Sequence, residues 1–122
     1  MPIVDIELVC DSISETNSVS ARAIADALGQ VFGSPPGRTW IRLNFRSSSS
    51  YAENGVDVSP SELPAFVTVL KAHTPNGSAL VAEVAAVTEA VARCINRSTE
   101  RVHVQYSPSA AGRQAFGGHL VE

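Results

Sequence analysis

The sequence has 122 residues, 44% of them hydrophobic and 17% charged, with a net charge of −3. That balance fits one globular domain with a modest core and excludes a disordered chain. A mildly acidic chain has no electrostatic footprint for DNA or RNA, and its apolar runs are too short to cross a bilayer.

In chain order, MPIVDIELV is an apolar stretch that predicts a strand beginning at the second residue. Two readings of Pro2 stay open. In one, the strand simply starts early and Pro2 sits where its missing N–H costs nothing. In the other, removal of Met1 makes Pro2 the only secondary amine of the protein, at a fixed place on a rigid sheet. The polar stretch CDSISETNS predicts a loop. Val19, Ala23, Ile24, Ala27, Leu28 and Val31 then recur at three and four, which predicts a helix capped at Ser18 and stopped by Gly33 and Pro35–Pro36. TWIRLNF alternates as a strand, with Ile41, Leu43 and Phe45 on one side and Trp40, Arg42, Asn44 and Arg46 on the other.

RSSSSYAENG reads as a flexible polar connection, and the layout then repeats. PAFVTVLKA predicts a third strand, HTPNGS a loop, and Val84, Val87, Val91 and Ile95 a second helix with Ser78 at its N-cap. RVHVQYS predicts a fourth strand, with Val102, Val104 and Tyr106 opposing Arg101, His103 and Gln105. An offset of 62 residues superposes Pro2 on Pro64 and Val19 on Val81. The repeat is one of pattern rather than identity.

The expected architecture is α/β (α+β): a duplicated β-α-β unit forming a four-stranded mixed sheet with both helices on one face, since strand–helix–strand crossovers are right-handed. One domain spans 1–122, with halves at about 1–46 and 63–107 and a tail at 108–122. The open face would carry Asp5, Glu7, Arg42, Asn44, His103 and Gln105 among apolar neighbours, and self-association would cover it. Cys10 and Cys94, without a CxxC, read as buried free thiols in a reducing compartment. No secretory signal pattern is present, so a cytoplasmic location is expected. His73, His103 and His119 lack metal-ligand spacing, and the SSSS run lacks a nucleophile-elbow context. No metal or cofactor is expected.

Three stretches, MPIVDIELV, FGSPPGRTWIRLNF and ERVHVQYSPSAAGRQAFGG, together with the repeat that joins them, resemble the tautomerase superfamily over nearly the whole chain. The likeness is to its longer members, of the macrophage migration inhibitory factor, 5-carboxymethyl-2-hydroxymuconate isomerase and cis-3-chloroacrylic acid dehalogenase kinds. The resemblance implies a trimer-forming fold, here a homotrimer, and a cofactor-free enzyme whose exposed N-terminal proline, Pro2, is general base and acid. The chemistry is consistent with it. An α-amino group titrates near ~8 in water and lower in an apolar pocket, so it can exchange a proton near neutrality.

A developing oxyanion or a substrate carboxylate needs cations or donors. The resemblance offers Arg38, just before the second strand, and Arg42 within it. Each has a plainer reading: Arg38 solvated, Arg42 paired with Asp5 or Glu7. It also offers His103 and Gln105, reaching the site from a neighbouring subunit, and Phe116, in the place of a pocket tryptophan. His103 is otherwise an interior histidine satisfied by backbone. Alternation sets Pro2 with Val4 and Ile6 but His103 against Val102 and Val104, so only a site built between subunits would join them. KAHTPNG stands where hydrolytic members carry paired arginines, leaving Lys71 and His73 as substitutes, and His73 is equally an exposed loop residue. The tail also lacks a water-activating glutamate, which argues against hydrolytic dehalogenation.

The expected function is keto–enol tautomerisation or isomerisation of small unsaturated 2-oxo or 2-hydroxy carboxylates. The alternatives are a trimeric binding or structural protein with a vestigial site, or a hydratase or decarboxylase using the same proline. No nucleic-acid or membrane partner is expected.

Overall fold

In the computed structural model, which describes residues 2–122, four strands form one sheet: β1 (Ile3–Cys10), β2 (Trp40–Ser47), β3 (Ala65–Leu70) and β4 (Val102–Tyr106), in the order β2-β1-β3-β4. β1 runs parallel to β2 and β3 parallel to β4, while β1 and β3 meet antiparallel at the centre. Each parallel pair is one of the expected β-α-β units. The 62-residue offset holds, since Ile3 lies opposite Trp40 as Ala65 lies opposite Val102.

The crossovers are α2 (Ala21–Phe32) and α3 (Gly77–Ile95). Alternation in the strands decides what they cover. Val4, Ile6 and Leu8 of β1 and Val67 and Val69 of β3 are buried with Ile24, Leu28, Val87 and Val91 of the helices. Burying side chains of this size stabilises by about 1.5–3 kcal/mol each. Asp5 and Glu7 point the other way, to a face that no helix covers.

Local chemistry departs from the expected caps. Ser20 caps α2, accepting a hydrogen bond from the Ala23 amide at 3.0 Å. Ser18 instead ends a short helix, α1 (Ile13–Ser18), inside the stretch read as a loop, and its hydroxyl donates to the Glu15 carbonyl. α3 begins two residues earlier than expected, after Asn76, which leaves Ser78 inside it. Gly33 ends α2 as expected, in the left-handed conformation at φ 62° that a side chain would disfavour.

The serine-rich connection is less free than its composition suggests. Ser48–Ser50 form a 3₁₀ turn, and Tyr51 and Arg101 both donate to Glu53 at 2.6 Å. The tail also folds. Amides of Ala110 and Ala111 donate to the carbonyls of Lys71 and Ala72, beyond the end of β3. A hairpin follows, β5 (Ala115–Phe116) against β6 (His119–Leu120), turning at Gly117–Gly118, both with positive φ. Cys10 is buried and Cys94 half-buried, both free thiols, and burial pushes both above the ordinary thiol range. Among the described residues no helix is long and apolar enough to cross a membrane.

Candidate active site

Pro2 is buried at the entry to the central strand β1. Its carbonyl accepts a hydrogen bond from the Trp40 amide at 3.0 Å, which extends the β1–β2 ladder to the second residue and fixes Pro2 on the sheet. The burial has a topological cause. The tail hydrogen-bonds through Ala110 to Lys71, just past β3, and its Phe116 ring meets Trp40 of β2 edge-on at 5.0 Å. β1 lies between those strands, so the tail crosses its open end. The Trp40 indole N–H donates to the Gly37 carbonyl at 2.9 Å, which locks the ring against the loop carrying Arg38.

The remaining expected residues divide by face. Arg38 is exposed in that loop, at the same end of the sheet as Pro2, and among the described residues no carboxylate pairs with it. His73 is exposed in the loop after β3, its Nε2 3.2 Å from the Glu122 carbonyl oxygen. Arg42 lies on the open face and grips Asp5 with both Nε and Nη2, the latter at 2.7 Å. Arg46 does the same to Glu7. His103 and Gln105 also lie on the open face, where His103 packs on Phe66 at 5.6 Å and Gln105 is opposite Thr68. Within one subunit, then, the structure groups Pro2, Arg38, His73 and Phe116 at one end and holds Arg42, His103 and Gln105 on the face away from the helices.

Of a polar cluster on the helix side of that end, sequence reasoning singled out Lys71 but not its partners. Glu83 of α3 accepts from Lys71 Nζ at 2.7 Å and from the Tyr106 hydroxyl at 2.6 Å, one on each carboxylate oxygen. The Lys71 ammonium also lies 5.1 Å from the centre of the Phe32 ring. Burial, and then the bond to Glu83, push the Tyr106 phenol well above its ordinary value, so it stays a donor. The signal was present in the sequence: Glu83 interrupts the apolar run ALVAEVAAV, and Lys71 continues the buried alternation of Val67 and Val69. Among the described residues no three His, Cys, Asp or Glu side chains form a metal-holding group.

The backbone path and sheet order match known structures over almost the whole chain. A fused 4-OT symmetric trimer aligns with 98% of this chain and 94% of its own at a TM-score of 0.74 and 15% identity. The chain has the tautomerase fold. Macrophage migration inhibitory factor from Oncomelania hupensis aligns with 100% of this chain and 83% of its own, at a TM-score of 0.72 and 17% identity. FG41 malonate semialdehyde decarboxylase, in a structure inhibited by 3-bromopropiolate, has 22% identity and a TM-score of 0.66, covering 94% of this chain and 88% of its own. No family model matches the sequence, and no curated protein does. At such identities the tautomerase fold is shared while side chains have diverged, so chemistry must be argued from the residues present.

Proposed function

We propose that this chain is a cofactor-free keto–enol tautomerase of small unsaturated 2-oxo or 2-hydroxy carboxylates, working as a homotrimer, with Pro2 as general base and acid. The observation that carries the reading is the burial of Pro2 at the start of the central strand, under the tail, in a tautomerase fold. Removal of Met1 gives a ring nitrogen with one lone pair, held in place by the Trp40 amide on its own carbonyl.

In ketonisation this nitrogen takes the enol hydroxyl proton. The O–H electron pair becomes the second bond of the carbonyl, and the C=C pair turns toward carbon. The same N–H then returns the proton to that carbon, so one proton moves from oxygen to carbon and the amine is regenerated. Arg38, exposed and unpaired among the described residues, is a cation free to bind a substrate carboxylate through two parallel hydrogen bonds. The Phe116–Trp40 pair lies at this end of the sheet, where the Trp40 amide meets the Pro2 carbonyl, and would add apolar surface that disfavours the charged amine.

The trimer has its own support. The open face exposes 37% of Phe66 and 43% of Trp40 beside the Arg42–Asp5 and Arg46–Glu7 pairs, a mixture suited to burial between subunits. It would also bring His103 and Gln105 of a neighbour toward the Pro2 end, as donors to the substrate oxygen. A second reading, a trimeric binding protein with a vestigial site, is favoured by Arg42 being occupied by Asp5. The two differ in one assay. Conversion of the enol form of phenylpyruvate to the keto form, followed by ultraviolet absorbance, should fall about 10²–10⁴-fold in Pro2→Ala. Equal rates would overturn the tautomerase reading.

A further inference from the structure

The Lys71–Glu83–Tyr106 cluster has no part in the chemistry above, yet it stands next to the residue on which that chemistry depends. We propose that Lys71 is a positioning residue that keeps the Pro2 nitrogen neutral near pH 7, with Glu83 and Tyr106 holding its ammonium in place. This rests on Pro2 being the terminal amine of the working protein.

The strand register supplies the placement. Ile3 lies opposite Leu70 in the antiparallel β1–β3 pair, and one further step sets Pro2 across from Lys71. Residues directly opposed in such a pair have Cβ atoms about 4.5–5.5 Å apart. Both continue the helix-covered side, Pro2 from Val4 and Lys71 from Val69, and Val69 is opposite Tyr106 on β4. The ammonium cannot swing away, because Glu83 binds it at 2.7 Å and the Phe32 ring lies 5.1 Å below it. Glu83 is fixed in turn by the Tyr106 hydroxyl. Only 19% of the Lys71 side chain and 14% of the Glu83 side chain are exposed, so water screens this charge weakly.

A fixed positive charge one strand away raises the cost of a second one on the Pro2 nitrogen, in the same direction as burial. The other charged or titratable groups at this end are Arg38 before β2, His73 after β3, and Arg113, His119 and Glu122 in the tail, all exposed. The last turn of α2 brings Phe32 and no charge, and Asp5 and Arg42 neutralise each other on the opposite face. Glu83 comes from the helix layer and opposes Lys71 from behind it. The two residues therefore pull the amine in opposite directions.

The test is a titration of protein labelled with ¹⁵N-proline, reading the Pro2 nitrogen shift, the one titrating signal among seven prolines. The wild-type amine should titrate below the ordinary value near ~8. Lys71→Met should raise it by about one pH unit, Lys71→Arg should leave it in place, and Glu83→Gln should lower it. No response to Lys71→Met, or a rise in both Lys71→Met and Glu83→Gln as loosened packing would give, overturns the proposal. A depressed amine that ignores Lys71 refutes this inference alone, whereas equal turnover by wild type and Pro2→Ala refutes the tautomerase reading itself.

Discussion

Pro2 and Pro64 occupy equivalent places in the two halves, but only their surroundings decide what each can do. The Pro64 carbonyl accepts from the Val9 amide and from Arg97 Nη1, deep in the chain, where a proline is a structural residue. Pro2 sits at the end of its strand under the tail. The alternation of the strands made the division of faces legible, and with it the separation of Arg42 and His103 from Pro2. The partner of Arg42 was legible too, because Asp5 is its register neighbour. Of the Lys71–Glu83–Tyr106 cluster, the odd placement of Glu83 and Lys71 was legible but their meeting was not, since it joins two strands and a helix whose relative rotation no local pattern fixes. The two arginines are expected to behave differently. Arg38→Ala should raise KM for a 2-oxo acid about 10- to 100-fold, in keeping with about 1.5–3 kcal/mol for hydrogen bonds between charged groups. Arg42→Ala, whose guanidinium is committed to Asp5, should change KM little by comparison. Steady-state kinetics on both variants decides it.

At the scale of elements, both crossovers and all four strands follow from hydrophobic period, while their ends depended on choices that period leaves open. Ser18 and Ser20 are equally good caps by composition. Val19 is extended, so the longer helix could start only after Ser20. The hairpin in the tail was signalled by Gly117–Gly118 but flanked by strands of two residues, too short to show alternation. The connection over residues 48–62 is ordered by charge. Hydrogen bonds from Tyr51 and then Arg101 hold the Glu53 carboxyl below the usual carboxylate range. A carboxylate with a depressed folded value stabilises above its unfolded value and loses that contribution as pH falls through the folded one. The amides of 51–58 should therefore lose protection as pH drops below about 4, after correction for intrinsic exchange rates. Glu53→Gln should expose them already at pH 7 and remove the acid dependence. Hydrogen exchange read by mass spectrometry makes the comparison, and identical profiles would show that the ion pair does not anchor the loop.

For the whole molecule, the sheet has one face packed by helices and one that presents Phe66, Trp40 and paired ions to whatever lies against it. Under the proposed reading, a homotrimer buries this face and places one subunit's His103 and Gln105 near the next subunit's Pro2. Light scattering after size exclusion should give three chains per particle at micromolar concentration. Phe66→Asp, which puts a charge into the middle of that face, should give single chains and lose activity together with assembly. A wild-type particle of one chain would show that the face has another occupant. The central claim is the chemistry of one nitrogen, and its most direct measurement combines intact mass with turnover. Protein shown by mass to lack Met1 should ketonise phenylenolpyruvate, and Pro2→Ala, prepared in the same way, should do so at least about 100-fold more slowly. Equal rates for the two proteins, or turnover by chains that retain Met1, would contradict the account.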